Sequence, residues 1–459
     1  MLTLAAVLLI AAPYDLDAQA KAFRANLEAF VKADTTNPPG NEARIVKLVA
    51  ARLKKEGIPY TVQDFAPGRQ NIIARMKGSG AEKPLLLLAH IDVVGTANQA
   101  WSTDPHTVVE KDGYLYGRGV MDDLASVVLN LETFIALKRN GVKLRRDVIL
   151  ALTGDEESGG AGARYLLEHD ASMKEVGLVL NEGGGLVRDV PGGKARFVAL
   201  EVAQKTYQDF VLTTAGITGH SSLPQKDNAI NRLADALARL AKAEQEPRLM
   251  PATRAFFKER ARFEDGEMQK AMNAVAAAKD KLPREAVQVL EKNLLFSALL
   301  RTTCVATMVE GGTKANALPP KASANVNCRI LPDETIEQTE ARLKTIIGDP
   351  RVEVTRAPEF GTNIASSLEG EFPTALKELL AENHPGVPII PAVMTGATDS
   401  RFFRQYGIPA YGFVPMVIVE GDEARCHGID ERIEVESIRP ALELNMKMMV
   451  KLAALTPGS

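Results

Sequence analysis

Six histidines occur in 459 residues, and two of them, His90 and His427, stand where strand-like runs end beside acids or small residues. His90-Ile91-Asp92 closes the apolar run at 84–89. Gly117-Arg118-Gly119-Val120-Met121-Asp122-Asp123 follows, then Asp155-Glu156-Glu157, Asn181-Glu182-Gly183-Gly184 and, near the end, Cys426-His427-Gly428. Imidazole and carboxylate donors gathered at strand ends suit a pair of divalent cations. One acid beyond those needed as ligands suits a reaction that activates water.

The local spacing adds detail. In an extended chain residues i and i+2 face one side, so the Asp92 carboxylate is expected to accept from the His90 imidazole and fix its tautomer. Of Asp122-Asp123, one acid is explained by a helix N-terminus, where the dipole favours negative charge; the other remains to bridge two cations. Glu156-Glu157 follows a buried strand and repels itself unless a cation or a shared proton compensates. His106, His169 and His384 lack such company and read as ordinary surface or core residues.

The elements that must position these groups alternate. Helical patterns at 22–57 are broken by Asn37-Pro38-Pro39-Gly40. Strands are expected at 71–76, 85–89, 147–153 and 176–180, with helices at 127–138 and 163–168, an order that predicts a largely parallel sheet with helices on both faces. From 206 the order becomes β-α-β-β-α-β, the ferredoxin-like arrangement, with a charged helical insertion at about 245–300. After 358 the α/β pattern returns. The expected domains are 21–205 with 358–459, and 206–357 inserted between them. The fold class is α/β with an inserted ferredoxin-like α+β domain.

Composition excludes several alternatives. A net charge of −3 gives no reason to expect nucleic acid. Cys304, Cys328 and Cys426 are too few for a disulfide scaffold and form no C-x-x-C pair. Cys304 and Cys328 fall on adjacent expected strands, as a disulfide if the protein is exported or as a buried thiol pair. Residues 2–12 are almost wholly apolar and Ala18-Gln19-Ala20 resembles a processing site, so 1–20 reads as a secretory signal peptide, though no Lys or Arg precedes the apolar run. The expected location is periplasmic or secreted, with the cytoplasm as the alternative. No later stretch is long enough to span a bilayer.

Taken together the motifs resemble the di-zinc peptidases that include aminoacylase, succinyl-diaminopimelate desuccinylase, carboxypeptidase G, carboxypeptidase S and carnosinase-type dipeptidases. The resemblance runs over nearly the whole chain. It implies a catalytic α/β domain with an inserted lid often used for dimerisation, and two Zn2+, with Co2+ or Mn2+ as alternatives. By position it implies one cation at His90, Asp122 and Glu182, and a second at Asp122, Glu157 and His427. It implies Glu156 as general base and Asp92 as the residue orienting His90. Gly219-His220-Ser221-Ser222 resembles the lid motif whose His stabilises an oxyanion. Arg329 matches a substrate-carboxylate arginine, Asn316 a lid asparagine and Gly396 a substrate loop.

Two positions depart from the family pattern: Leu124-Ala125 replaces the usual Lys-Gly, and Gly95 replaces Pro. The implied reaction is hydrolysis of an amide next to a free carboxylate, in a small peptide or alternatively an N-acyl amino acid. A non-catalytic binding protein of the same fold is the remote alternative, which the presence of Glu156 and every ligand position argues against. A homodimer through the lid is expected if His220 acts across an interface.

Overall fold

A computed structural model describes residues 15–243, 245–358 and 364–455. The chain forms two compact units: the described parts of 1–202, 366–392 and 398–459, and those of 203–365 with 393–397. The segment 393–397, expected with the first unit, groups with the second; Lys205 N donates to Met394 O at 2.8 Å. The first part of the expected signal peptide, 1–14, lies outside the described residues. Ala18-Gln19-Ala20 lies in the helix Leu16–Ala33, where the Asp15 side chain accepts from Ala18 N at the cap.

In the first unit, four strands run parallel at the centre of the large sheet, in the order Val148–Thr153, Leu85–His90, Leu178–Asn181, Ala410–Gly412. Every residue of Leu85–His90 and of Val148–Thr153 is buried, as expected where helices cover both faces. The helix Leu124–Arg139 is correspondingly apolar on nearly all sides, while Leu86, Leu88, Ile149 and Ala151 pack with Leu166, Phe402 and Phe403 in one cluster. Antiparallel strands extend the parallel run. At one edge a hairpin joins Tyr60–Ala66 to Arg69–Met76; its turn holds Pro67 and Gly68, with Gly68 at φ 75°. A separate three-stranded sheet pairs Arg432–Glu434 with Tyr114–Tyr116, and the latter with Val109–Lys111.

The second unit has the ferredoxin-like order. Its antiparallel strands lie in the sequence Thr303–Gly311, Lys321–Ile330, Thr206–Ala215, Val352–Arg356. One face packs Phe210, Leu212, Val326 and Cys328 with Leu233, Ala236 and Leu343 of the helices Ala229–Lys242 and Ile336–Ile347. Cys304 and Cys328, directly paired in register, are joined as a disulfide. The insertion folds as four helices, Pro251–Arg260, Gly266–Ala277, Arg284–Leu290 and Leu294–Leu299.

Candidate metal centre

The parallel strands deliver the first group of side chains. His90 is level with Thr153 across one pair, and Leu87 with Leu180 across the other. The three strands run the same way, so His90, the turn Glu156–Ser158 and Glu182 all emerge at the carboxyl ends of the strands, where open α/β sheets bind ligands.

His90 is buried. Its Nδ1 lies 2.9 Å from the main-chain oxygen of Asp92. A carbonyl only accepts, so Nδ1 keeps a proton and Nε2 is the atom free to ligate. Nε2 is 3.0 Å from Asp122 Oδ1 and 3.5 Å from Glu182 Oε2. The expected part played by Asp92 is therefore corrected in one respect: its carbonyl, rather than its carboxylate, holds the ring. The carboxylate stays 3.7 Å from Nδ1 and accepts from Glu156 N at 3.1 Å, Glu157 N at 3.2 Å and Asn37 Nδ2 at 2.8 Å. The first N–H groups of a helical turn have no partner within it, and those of Glu156–Ser158 point at Asp92.

Asp122 and Asp123 divide their roles. Asp123 is the N-cap residue of Leu124–Arg139, and its carboxylate accepts from His90 N at 3.2 Å. Asp122 reaches both histidines: Oδ1 faces His90, and Oδ2 lies 3.2 Å from His427 Nε2. His427 Nε2 is also 2.9 Å from Glu157 Oε2. The result is two groups sharing one carboxylate, His90–Asp122–Glu182 and Asp122–Glu157–His427, each offering ligand atoms within 4.8 Å of one another. Glu156 belongs to neither.

The donors fit divalent cations. One imidazole nitrogen and two carboxylates per group suit borderline and hard ions. Glu157 Oε1 and Glu182 Oε1 are buried without a hydrogen-bond partner, a state that costs free energy unless a ligand completes it.

Electrostatics agree. Burial drives Glu182 up to about 7 and raises Glu156 well above the carboxylate range, with Glu182 adding to the shift at Glu156. Burial would likewise raise Asp122, but His427 and His90 hold it below its ordinary value. Asp122 and Glu157 lift His427 to about 10. So many acids in one half-buried space retain protons or recruit imidazolium; bound cations would replace both.

Three residues escaped the sequence reading. Glu431, fully buried, accepts from the main chain of the loop leading to Asp122. Asp399, also buried, accepts from Thr153 Oγ1 at 3.0 Å and is raised to about 6 by burial. Arg69 ties the buried Glu42 to Asp155, the residue preceding Glu156. Asp399 stands in the same motif as Gly396, so its type and place were visible. Glu431 lies in Asp430-Glu431-Arg432, which reads as a solvated charge run.

The residues matched to substrate contacts all lie in the second unit. The strand Gly219–His220 pairs with Ala317–Leu318, and Ser221 N donates to Asn316 O at 3.1 Å, so His220 and Asn316 are neighbours. Arg329 donates from Nε to Asn327 Oδ1 and from Nη1 to Thr395 O, beside Gly396, and stacks over Tyr207 at 4.6 Å. Asp209 accepts from both Asn327 and Tyr207 and so braces the guanidinium from two directions.

A parallel-sheet edge that gathers paired acid and histidine groups defines a hydrolase of the metal-dependent α/β class. The chain belongs to peptidase family M20/M25/M40, whose model matches residues 86–451. It is 32% identical over 372 residues to an N-fatty-acyl-amino acid synthase/hydrolase of Xenopus tropicalis, covering 80% of this chain and 72% of that one. It is 29% identical over 369 residues to a probable carboxypeptidase S-like protein of Dictyostelium discoideum, covering 79% and 70%. Among solved structures, the M20 family metallo-carboxypeptidase Sso-CP2 from Sulfolobus solfataricus has the same fold. The TM-score is 0.71, with 18% identity over 94% of this chain and 98% of that one.

Proposed function

We propose that the chain hydrolyses an amide bond next to a free carboxylate, with Glu156 as general base. The observation that carries this reading is a half-buried acid, Glu156, in the same turn as Glu157 but outside both three-residue groups. His90, Asp122 and Glu182 hold one cation and Asp122, Glu157 and His427 the other, with Zn2+ as the native ion and Co2+ or Mn2+ as alternatives. Cations bound by these residues would lower the pKa of water, from 15.7 toward about 7 for zinc, and would polarise the substrate carbonyl.

Glu156 takes a proton from the attacking water as its oxygen bonds to the carbonyl carbon. The same carboxyl then returns that proton to the leaving nitrogen as the carbon–nitrogen bond breaks. The products are a carboxylic acid and an amine. In the second unit, His220 donates to the developing oxyanion. The Arg329 fork binds the free carboxylate bidentately, with Asn316 and the Gly396 loop as further substrate contacts.

The sequence motifs point first to peptides. The similarity to an N-fatty-acyl-amino acid synthase/hydrolase favours N-acyl amino acids as a second reading. A panel of dipeptides and N-acyl amino acids assayed with the Zn2+-loaded protein separates the two. Loss of all hydrolysis when the substrate carboxylate is amidated is expected in both; full activity on the amidated compounds contradicts the proposal.

Association through the second unit belongs to the same reading. Its edge strand Thr303–Gly311 leaves Val305, Met308 and Val309 more than half exposed and, among the described residues, pairs on one side only, an edge suited to a second copy. No described helix is long and apolar enough to cross a membrane. Export to the periplasm or medium is supported by the apolar 2–12 stretch and by the Cys304–Cys328 bond; N-terminal sequencing of secreted material tests it.

A further inference from the structure

The two loops that carry Asp122 and His427 are distant in sequence and are clamped together by one buried carboxylate. Arg432 pairs with Tyr116 in the small sheet, so the chain before Arg432 runs beside the chain after Tyr116. Glu431 faces that second loop. One carboxylate oxygen accepts from Met121 N at 2.7 Å and Asp122 N at 3.0 Å; the other accepts from Gly119 N at 3.0 Å and Arg118 Nη1 at 2.6 Å. Glu431 and Arg118 are each at most 2% exposed.

The clamp continues to His427. Arg118 Nη2 donates to Gly428 O at 2.8 Å and to Gln99 Oε1 at 3.1 Å, and Gln99 Nε2 donates to His427 O at 3.0 Å. Trp101 closes the assembly: its indole donates to Gln99 Oε1, and its ring lies 5.0 Å beneath the Arg118 guanidinium. His427 needs this help. Its side chain is 58% exposed, its backbone is left-handed at φ 62°, and it lies on a loop rather than in a strand. Only an outside brace fixes such a residue against a carboxylate on another loop.

We propose that Glu431, acting through Arg118 and Gln99, is a positioning residue that sets the spacing of Asp122 and His427 and so the affinity of the second cation position. This rests on the reading that Asp122, Glu157 and His427 hold a cation. Glu431 touches no ligand atom. Its four accepted hydrogen bonds need both oxygens as acceptors, which an amide cannot supply.

The test is titration of metal-free protein with Co2+, whose visible absorption follows ligand geometry, alongside the thermal midpoint of the metal-free form. In E431Q the first equivalent is expected to bind with nearly unaltered absorption. The second is expected to bind about 10- to 100-fold more weakly, the usual cost of losing an outer-shell partner. Q99A, on the half-exposed end of the clamp, is expected to fold normally and to show a smaller loss confined to the second equivalent. It keeps the test decisive if E431Q does not fold.

Equal affinities for the second equivalent in Q99A and the unaltered protein, and in E431Q where that variant folds, overturn the proposal. So does equal weakening of both equivalents together with a lowered metal-free midpoint, which marks general loosening. If the unaltered protein takes up only one Co2+, or H427A binds two as well as the unaltered protein does, it is the cation reading itself that fails.

Discussion

The His90 and His427 sides of the centre solve the same problem by different means. His90 ends a fully buried strand, its ring nitrogen is held by a carbonyl two residues on, and its own N–H is taken by Asp123. The geometry follows from the sheet. His427 is more than half exposed on a loop; its ring faces Asp122 and Glu157, and its main chain is braced by Gln99 at His427 O and by Arg118 at Gly428 O. One imidazole is placed by secondary structure and the other by a network of side chains. A sheet register is fixed by many hydrogen bonds at once, whereas a loop held by a few is the first place that loosens.

Several changes sharpen or break this contrast. The largest effect is expected outside it: Glu156→Gln should keep both cations yet lose turnover by about 100-fold or more, because the general base is gone. Full activity in that variant rejects the assignment. His90→Ala should abolish binding at its position and remove most activity, since a buried ligand is replaced by a void facing Asp122 and Glu182. Metal analysis of the purified variant reads this, and retention of two cations per chain would break the contrast.

His427→Ala should lose one cation and keep the other. Asp92→Asn places an amide where three donors converge, and should lower kcat by about 10- to 100-fold with little change in KM, as expected for loss of a supporting hydrogen bond.

The pH dependence has a definite sign. In the cation-free protein Asp122 and Glu157 raise His427 to about 10, so at neutral pH the ring carries a proton that a cation must displace. Affinity at the second position is therefore expected to rise as pH increases toward about 10 and to fall in acid. Calorimetric titrations at several pH values, in buffers of different ionisation enthalpy, measure the proton released. Affinity independent of pH contradicts the assignment.

The smallest effect on chemistry is expected at Cys304–Cys328. The bond closes a loop of 24 residues, and replacing both cysteines by Ala should lower stability by about 2–4 kcal/mol. The thermal midpoint should fall while cation affinity holds.

Part of the centre was legible because His90 ends a strand and Glu182 follows one, whereas His427, expected at the end of a strand-like run, follows the helical turn Asp422–Arg425 instead. A stretch such as 84–89 cannot be exposed, so whatever follows it stands at the carboxyl end of a buried strand. The same logic identified the ferredoxin-like order from alternation at 207–214. What escaped were partners supplied from far along the chain. The Asp92 carboxylate was assigned to the imidazole by i, i+2 spacing, but the turn at Glu156 competes for it with two converging N–H groups. Glu431 carries no local signal, since it stands between charged neighbours; pairing of 432–434 with 114–116 buries it.

The residue types and their order along the chain were enough to determine the donor chemistry, the α/β class and the inserted second unit, because hydrophobic periodicity and strand-end placement are local properties. Which acid braces, which comes together with the imidazoles and which stays apart was decided only by tertiary structure. Those roles depend on which N–H groups and imidazoles arrive from elsewhere, and carboxylates of one kind acquire different functions solely through what is packed against them.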